Sequence, residues 1–243
     1  MLDFGFYNQD CMEGMKEFPD NYFDLAITDP PYGGGGEPDV NEAFNGALVG
    51  RFGGRFESYF GKDKRGHFGG GHNKKYGYGH WDVAPDKEYF EELFRVSKNQ
   101  IIWGGNYFEL PPTRCFLIWR KLTISENFSM AMAEYAWTSF NSNAKVFEAA
   151  PQDKERFHPT QKPVALYEWI INMFAKPGDI ILDTHAGSAS SLVACHNTGH
   201  RFVGFEINKT YYEKAKKRLD NAMQQMNIFS INQETEPKQL TLF

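Results

Sequence analysis

The 243-residue sequence predicts an α/β domain built on an open, mostly parallel β-sheet with helices on both faces. Two observations carry this expectation. Short apolar runs of strand length recur at 4–8, 23–28, 100–103, 116–119, 133–140, 180–183 and 202–206. Helical patterns separate many of them, at 86–95, 164–174, 190–197 and 209–226. A helix between two strands supplies the long crossover that parallel pairing needs. Trp119 and Ala133 are joined by a short polar stretch with no helical pattern, so that pair is expected to be antiparallel.

The length suits one large domain or two small ones, with ample mass for a core. The formal charge of -5 does not announce a polyanion binder, although phosphate contacts depend on a local patch and not on the total. Cys11, Cys115 and Cys195 are odd in number, scattered and without a CxxC pair. They read as reduced thiols, neither a disulfide framework nor a zinc site, and no metal ligands are assigned. Asp3, Asp10 and Glu13 replace the basic-then-apolar pattern of a leader, and no run reaches the roughly 20 apolar residues of a membrane span. A cytoplasmic protein without a membrane partner is expected.

Residues 33–80 break the strand–helix rhythm. They hold most of the chain's 23 glycines, with Arg51, Arg55, Lys62, Lys64, Arg65, Lys74 and Lys75 interleaved with aromatic residues. One reading is a loop that orders on a polyanion, with cations on phosphates and rings beside bases. The other is a solvated surface insertion.

Directly before this segment, Asp29-Pro30-Pro31-Tyr32 ends an apolar run. The prolines donate no N–H and fix φ, so the segment is stiff and its carbonyls look outward for donors. Asp29 and the Pro30 carbonyl could accept the two hydrogens of an exocyclic amine while Tyr32 stacks on its ring. The same four residues also suit a turn that merely ends a strand.

A second constellation lies at 180–206. Ile180–Asp183 runs into the small-residue turn Thr184-His185-Ala186-Gly187-Ser188-Ala189-Ser190, then an apolar helix, then a strand-like run ending at Glu206. Such a turn lets a ligand approach the backbone, and an acid after the next strand can accept both hydroxyls of a ribose. Only Gly187 of a GxGxxG fingerprint is present, which disfavours NAD, and no GxxxxGK[ST] loop is seen for ATP. An adenosine cofactor without phosphates fits better.

Three blocks in order, Asp29-Pro30-Pro31-Tyr32, His158-Pro159-Thr160-Gln161-Lys162-Pro163 and Asp183 to Ala189, make the chain resemble the β class of DNA amino-methyltransferases. The resemblance runs from Asp10-Cys11 to Glu206. It departs from the family's D-P-F-x-G-x-G at Thr184, His185 and Ala189, the last tolerable where its φ is negative. It implies a single Rossmann-like domain with a mostly parallel seven-stranded sheet, one strand antiparallel. It also implies circular permutation, with 4–8 as third strand and 202–206 as second. The catalytic domain would span 1–228, with 33–80 contacting DNA, 141–157 as a short target-recognition segment, and a tail at 229–243.

The implied cofactor is S-adenosyl-L-methionine. Asp10 would face its adenine, Asp183 its amine and Glu206 its ribose, with Cys11, Asp29, Thr160, Lys162, Pro163, His185, Ala186, Gly187 and Ser188 completing the pocket. Lys162 and Pro163 would open a helix over the methionine end, although 158–163 also reads as a plain helix cap. The implied reaction is methylation of the exocyclic N6 of a flipped adenine in double-stranded DNA, with Asp29, Pro30, Pro31 and Tyr32 as the catalytic block. Cytosine N4 presents the same two hydrogens and stays open, as do an RNA substrate and a non-catalytic DNA-binding module. Trp81 reads as a second wall of the base pocket or as a core residue, and 104–107 as pocket lining. The resemblance implies a bacterial or phage-encoded, nucleoid-associated enzyme of restriction–modification type, and leaves a homodimer open. Gln239-Leu240-Thr241-Leu242-Phe243 resembles the peptide by which bacterial DNA enzymes dock on the sliding clamp; folding back on the enzyme is the other reading.

Overall fold

A computed structural model describes residues 1–32, 83–125, 131–151 and 156–234, with side chains as far as 225. The expectations for 33–80, Trp81 and 239–243 lie outside the described residues, as do 152–155 of the segment 141–157. The chain divides into two units, Met1–Pro30 with Asp86–Phe243, and Pro31–Pro85. The first carries the sheet described here.

Its strands are β1 (Gly5–Tyr7), β2 (Leu25–Thr28), β3 (Gln100–Trp103), β4 (Phe116–Lys121), β5 (Ala133–Thr138), β6 (Lys145–Ala149), β7 (Ile180–Asp183) and β8 (Arg201–Phe205). They form one sheet in the order β1-β8-β7-β2-β3-β5-β4-β6. From β1 to β3 every pairing is parallel. β5 runs against both β3 and β4, and β4 pairs with β6 in parallel. The sheet is therefore mostly parallel with one antiparallel strand, as expected, but it has eight strands where seven were expected. The extra strand is β6, within 141–157. Its residues alternate between half-buried and exposed with none fully buried, so it carries no apolar run. Phe147 ties it inward, with its ring 5.4 Å from Trp169, and the Ala149 carbonyl accepts from the Trp119 indole N–H at 3.2 Å.

The central strands β2 and β3 are buried at every position, as strands covered on both faces must be. Helix α2 (Lys87–Val96) connects them. Asp86 caps it by accepting from the Tyr89 N–H at 3.1 Å, and Tyr89, Phe90, Leu93 and Val96 fall on one face. That face packs in a cluster with Ile102, Leu182 and Val203 on one side of the sheet. On the other side, α3 (Val164–Phe174) and α4 (Ser190–Asn197) pack with Leu25, Ile27, Ile101 and Ile181. Helix α4 is buried from Ser190 through Cys195 and lies close against β8: a Cβ at Gly204 would come within 2.6 Å of Leu192. Two further helices complete the unit. The short α1 (Cys11–Met15) follows β1 and was not anticipated, and α5 (Lys209–Glu234) continues beyond the expected end at 226. Among the described residues no helix is long and apolar enough to cross a membrane.

Candidate active site

The parallel strands bring five loops to one edge of the sheet. Asp10 follows β1, Glu206 follows β8, Asp183 ends β7, Asp29 follows β2 and Gly104 follows β3. The chain leaves β7 towards β8 in one direction and leaves β2 towards β3 in the other. The strand order thus reverses between β7 and β2, where connections diverge to opposite faces and open a crevice for a ligand. Asp183 and Asp29 stand on its two sides.

On the β7 side the acids meet only neutral donors. Asp183 is 3% exposed and accepts from the His185 N–H at 3.0 Å and from the Ser191 hydroxyl. Burial pushes its carboxyl up to about 7 despite those bonds. Glu206 accepts from the Gly187 N–H at 3.0 Å and the Asn208 N–H at 2.7 Å, and burial raises it as well. Asp10 caps α1, accepting from the Met12 N–H at 2.7 Å. Cys11, beside it, is pushed up to about 12 by burial, then by Asp10, which keeps it a thiol. Among the described residues none of these three carboxylates has a lysine or arginine within ion-pair distance.

The turn between β7 and α4 is anchored by the Ala186 N–H on the Phe205 carbonyl at 2.9 Å. Gly187 has φ +51, and a Cβ there would lie 3.1 Å from the His158 ring, so the glycine serves both conformation and close packing. The Ser188 carbonyl accepts from Arg218 at 3.0 Å, and its hydroxyl lies 3.1 Å from Ser190 Oγ. Ala189 corrects an expectation: its φ is +58, in the left-handed region, where the family's glycine is free and an alanine carries a cost of about 1–2 kcal/mol. The other two departures have partners. Thr184 Oγ1 lies 2.6 Å from Thr28 Oγ1 and 2.7 Å from Tyr89 Oη, and Nδ1 of His185 is 3.0 Å from Thr184 Oγ1. Burial holds His185 down to about 4, so its ring is neutral at ordinary pH. A buried hydroxyl network thus replaces the proline–phenylalanine pair, and Thr28 and Tyr89 supply the complement from β2 and α2.

On the β2 side the charges are paired. Lys162, 3% exposed, contacts Asp29 Oδ2 and lies 3.2 Å from Glu134 Oε2. Lys121, also buried, reaches Glu134 Oε1 at 2.5 Å. The Lys162 ammonium sits 5.2 Å from the centre of the Trp103 ring. Burial opposes both charges at this junction, yet Asp29 and Glu134 hold Lys162 above the ordinary lysine range, and the two lysines pull Glu134 down to about 2.

The sequence-derived residues are therefore divided. Asp10, Cys11, Asp183, His185, Ala186, Gly187, Ser188 and Glu206 gather at β1, β8 and β7, while Lys162 is drawn to Asp29. Thr160 is exposed, its hydroxyl 3.2 Å from His158 Nδ1, and Pro163 precedes α3 without a side-chain cap bond. Pro30 is buried beside Asp29, while Pro31 and Tyr32 open the second unit. Residues 105–107 form a 3-10 turn after β3, with Tyr107 exposed. Sequence reasoning missed Glu134, Lys121, Tyr89 and Thr28. One signal was available: Lys121 is in phase with Leu117 and Trp119 on the buried face of β4.

The DNA methylase family matches residues 73–217, more than half of the chain. The chain belongs to that family. The match takes in 158–163 and the turn after β7, and begins after Asp29. The Escherichia coli (strain K12) protein YubD is 27% identical over 250 residues, covering 90% of this chain and 93% of YubD. The DNA adenine methyltransferase YhdJ of the same organism is 44% identical over 70 residues, which are 29% of this chain and 24% of YhdJ. The crystal structure of an M1.HpyAVI–SAM complex superposes with a TM-score of 0.54 at 21% identity, covering 88% of this chain and 98% of that one, a likeness of fold.

Proposed function

We propose that this DNA methylase transfers the methyl group of S-adenosylmethionine to the exocyclic N6 of an adenine flipped out of double-stranded DNA. The observation that carries the reading is the crevice between β7 and β2, with carboxylates that lack cationic partners among the described residues on one side and the Asp29–Pro30 acceptor pair on the other. Asp183 and Glu206 fit a ligand that brings its own positive charge and hydroxyls: Asp183 the ammonium, Glu206 the ribose, Asp10 the adenine. Gly187, at positive φ, shapes the turn and donates its N–H to Glu206. When bound, S-adenosylmethionine supplies a methyl group already activated by a cationic sulfur.

The chain's own residues prepare the nucleophile. The N6 lone pair of adenine is delocalised into its ring. Asp29 and the Pro30 carbonyl accept the two N6 hydrogens and favour the geometry in which that lone pair leaves the ring plane. A charge-assisted bond of this kind contributes about 1.5–3 kcal/mol, and positioning adds to it. Tyr32 stacks on the extruded base. The amine loses its extra proton once nitrogen becomes cationic, so Asp29 need not be a strong base.

The circularly permuted β-class arrangement is part of this reading. It is supported by β8 lying between β1 and β7, and by the Asp29 block preceding the Asp183 block in the chain. Docking of Gln239–Phe243 on a sliding clamp, a homodimer and a restriction–modification setting belong to the proposal on sequence alone. Mass spectrometry of nucleosides from unmethylated DNA treated with protein and S-adenosylmethionine tests the reaction, with Asp29→Ala as control. N6-methyladenine absent from the control supports it, N4-methylcytosine overturns the choice of base, and no product overturns the reaction.

A further inference from the structure

We propose that Glu134 is a positioning residue for methyl transfer, acting through Lys162 to keep the Asp29 carboxylate aligned and available as the acceptor of the target amine. The inference rests on the reaction proposed at Asp29.

Four alternating charges run inward from the far strands of the sheet: Lys121 on β4, Glu134 on β5, Lys162 before α3, and Asp29 after β2. The antiparallel register of β4 and β5 sets Trp119 opposite Glu134, which brings Lys121 within reach of it. The lysine side chains are only 6% and 2% exposed, so water contributes little to holding either charge. An ammonium directs three N–H bonds. In Lys162 one partner is Asp29, a second is Glu134 and a third direction faces the Trp103 ring. Two carboxylates and the nearby ring hold the ammonium in place, and it holds Asp29.

Glu134 matters because of what Lys162 would do without it. A buried ammonium facing a single carboxylate closes on that carboxylate alone, drawing off the charge that Asp29 must offer to an amine. Glu134 Oε2, 3.2 Å from the same ammonium, is a second carboxylate that divides the attraction. Lys121 offsets Glu134, so the quartet is neutral and the division does not leave a buried excess charge.

Among the described residues, the other titratable groups of this neighbourhood are His158 and Tyr167. Burial, then the charges of Lys162 and Arg156, hold His158 down to about 3, while burial raises Tyr167 well above its usual range. Neither changes charge near neutral pH. Asp183 does, but its effect is removed by saturating cofactor. Methyl transfer should therefore hold through mildly alkaline pH and fail only above the ordinary lysine range, as Lys162 loses its proton. Removing Glu134 takes away one of the two carboxylates that raise Lys162, so this limb should move to lower pH.

The test is single-turnover methyl transfer at saturating DNA and S-adenosylmethionine between about pH 6 and 10, a window in which the raised Lys162 should keep the wild-type profile free of an alkaline limb. Glu134→Gln should slow transfer about tenfold or more at neutral pH, with both binding constants within about twofold, and should bring the alkaline limb down into this window. The double variant Lys121→Met/Glu134→Gln removes one charge of each sign and protects the fold from an orphaned lysine. It should remain as slow as Glu134→Gln; recovery of the wild-type rate would show that Glu134 merely neutralises Lys121, and would overturn the inference. The 15N signal of the Lys162 ammonium gives a readout independent of turnover. It should shift in Glu134→Gln, and an unchanged signal overturns the inference. An inactive wild type would sink the reaction at Asp29 and the inference with it. An active wild type with an unaltered Glu134→Gln profile would sink the inference alone.

Discussion

The two sides of the crevice solve opposite electrostatic problems. Around β7, Asp183 and Glu206 are buried among neutral donors and their carboxyls rise. Around β2, Asp29 and Glu134 are buried among lysines, and Glu134 falls to about 2 although burial alone would raise it. Burial raises the carboxyl in both places, and the outcomes differ because the partners differ. Among the described residues Asp183 and Glu206 have no cationic partner, and burying their charge costs the fold stability. Asp29 has its counter-charge built in through Lys162. The comparison favours a cationic ligand on the first side and a neutral base on the second.

The largest effect that sharpens this contrast is at Asp29. Asp29→Ala should lower methyl transfer by about 100-fold to 1000-fold or more, while cofactor affinity, read by calorimetry, changes far less. A comparable loss in both would place Asp29 on the cofactor side and break the division. Next, Asp183→Asn keeps the shape and allows the Ser191 hydroxyl to accept where it now donates. Cofactor affinity should fall roughly tenfold to 100-fold, as expected for loss of about 1.5–3 kcal/mol. The same substitution should raise the melting temperature of the ligand-free protein at pH 8. The sign follows from the raised carboxyl: the folded state binds this proton more tightly than the unfolded chain, so Asp183 costs stability as pH climbs from the ordinary aspartate range through about 7.

A third, smaller effect is the pH dependence of cofactor binding. A cation prefers ionised Asp183, so affinity should tighten by about tenfold between pH 6 and 8 and level off above, with net proton release on binding. Calorimetry in buffers of different ionisation enthalpy measures that release, and Asp183→Asn should abolish the dependence. The smallest effect is at Ala189, which is fully buried with φ +58. Ala189→Gly relieves left-handed strain but loses a packed methyl and adds freedom to the unfolded chain. The net change in stability should stay within about 1 kcal/mol, measured by denaturant unfolding. A large destabilisation would mean that the methyl group matters more than the strain.

Much of this architecture was legible because it is local. Runs of apolar residues marked β2, β3 and β7, and a 3.6-residue pattern marked α3 and α4, in each case with ends close to those observed. β6 escaped because an edge strand facing solvent carries no apolar run, and its half-buried alternation resembles a loop. The acids at the strand ends were readable for a related reason: in a parallel sheet, the residue after each strand must come to the same edge. Their partners were not. The hydroxyl network joins Thr28, Tyr89 and Thr184 from three separate segments, and no local pattern links them.

By itself, then, the sequence determined the strand and helix alphabet, the ordered blocks at 29–32, 158–163 and 183–189, and the position of an acid at the end of each site-forming strand. These depend on side-chain periodicity and chain stiffness over a few residues. Only the tertiary structure decided that Lys162 meets Asp29 across 133 positions, that Glu134 and Lys121 complete the quartet, and that Ala189 adopts positive φ. Those outcomes depend on strand order, register and the packing of 158–163 against Gly187, where the energy of each contact is set by residues remote in the chain.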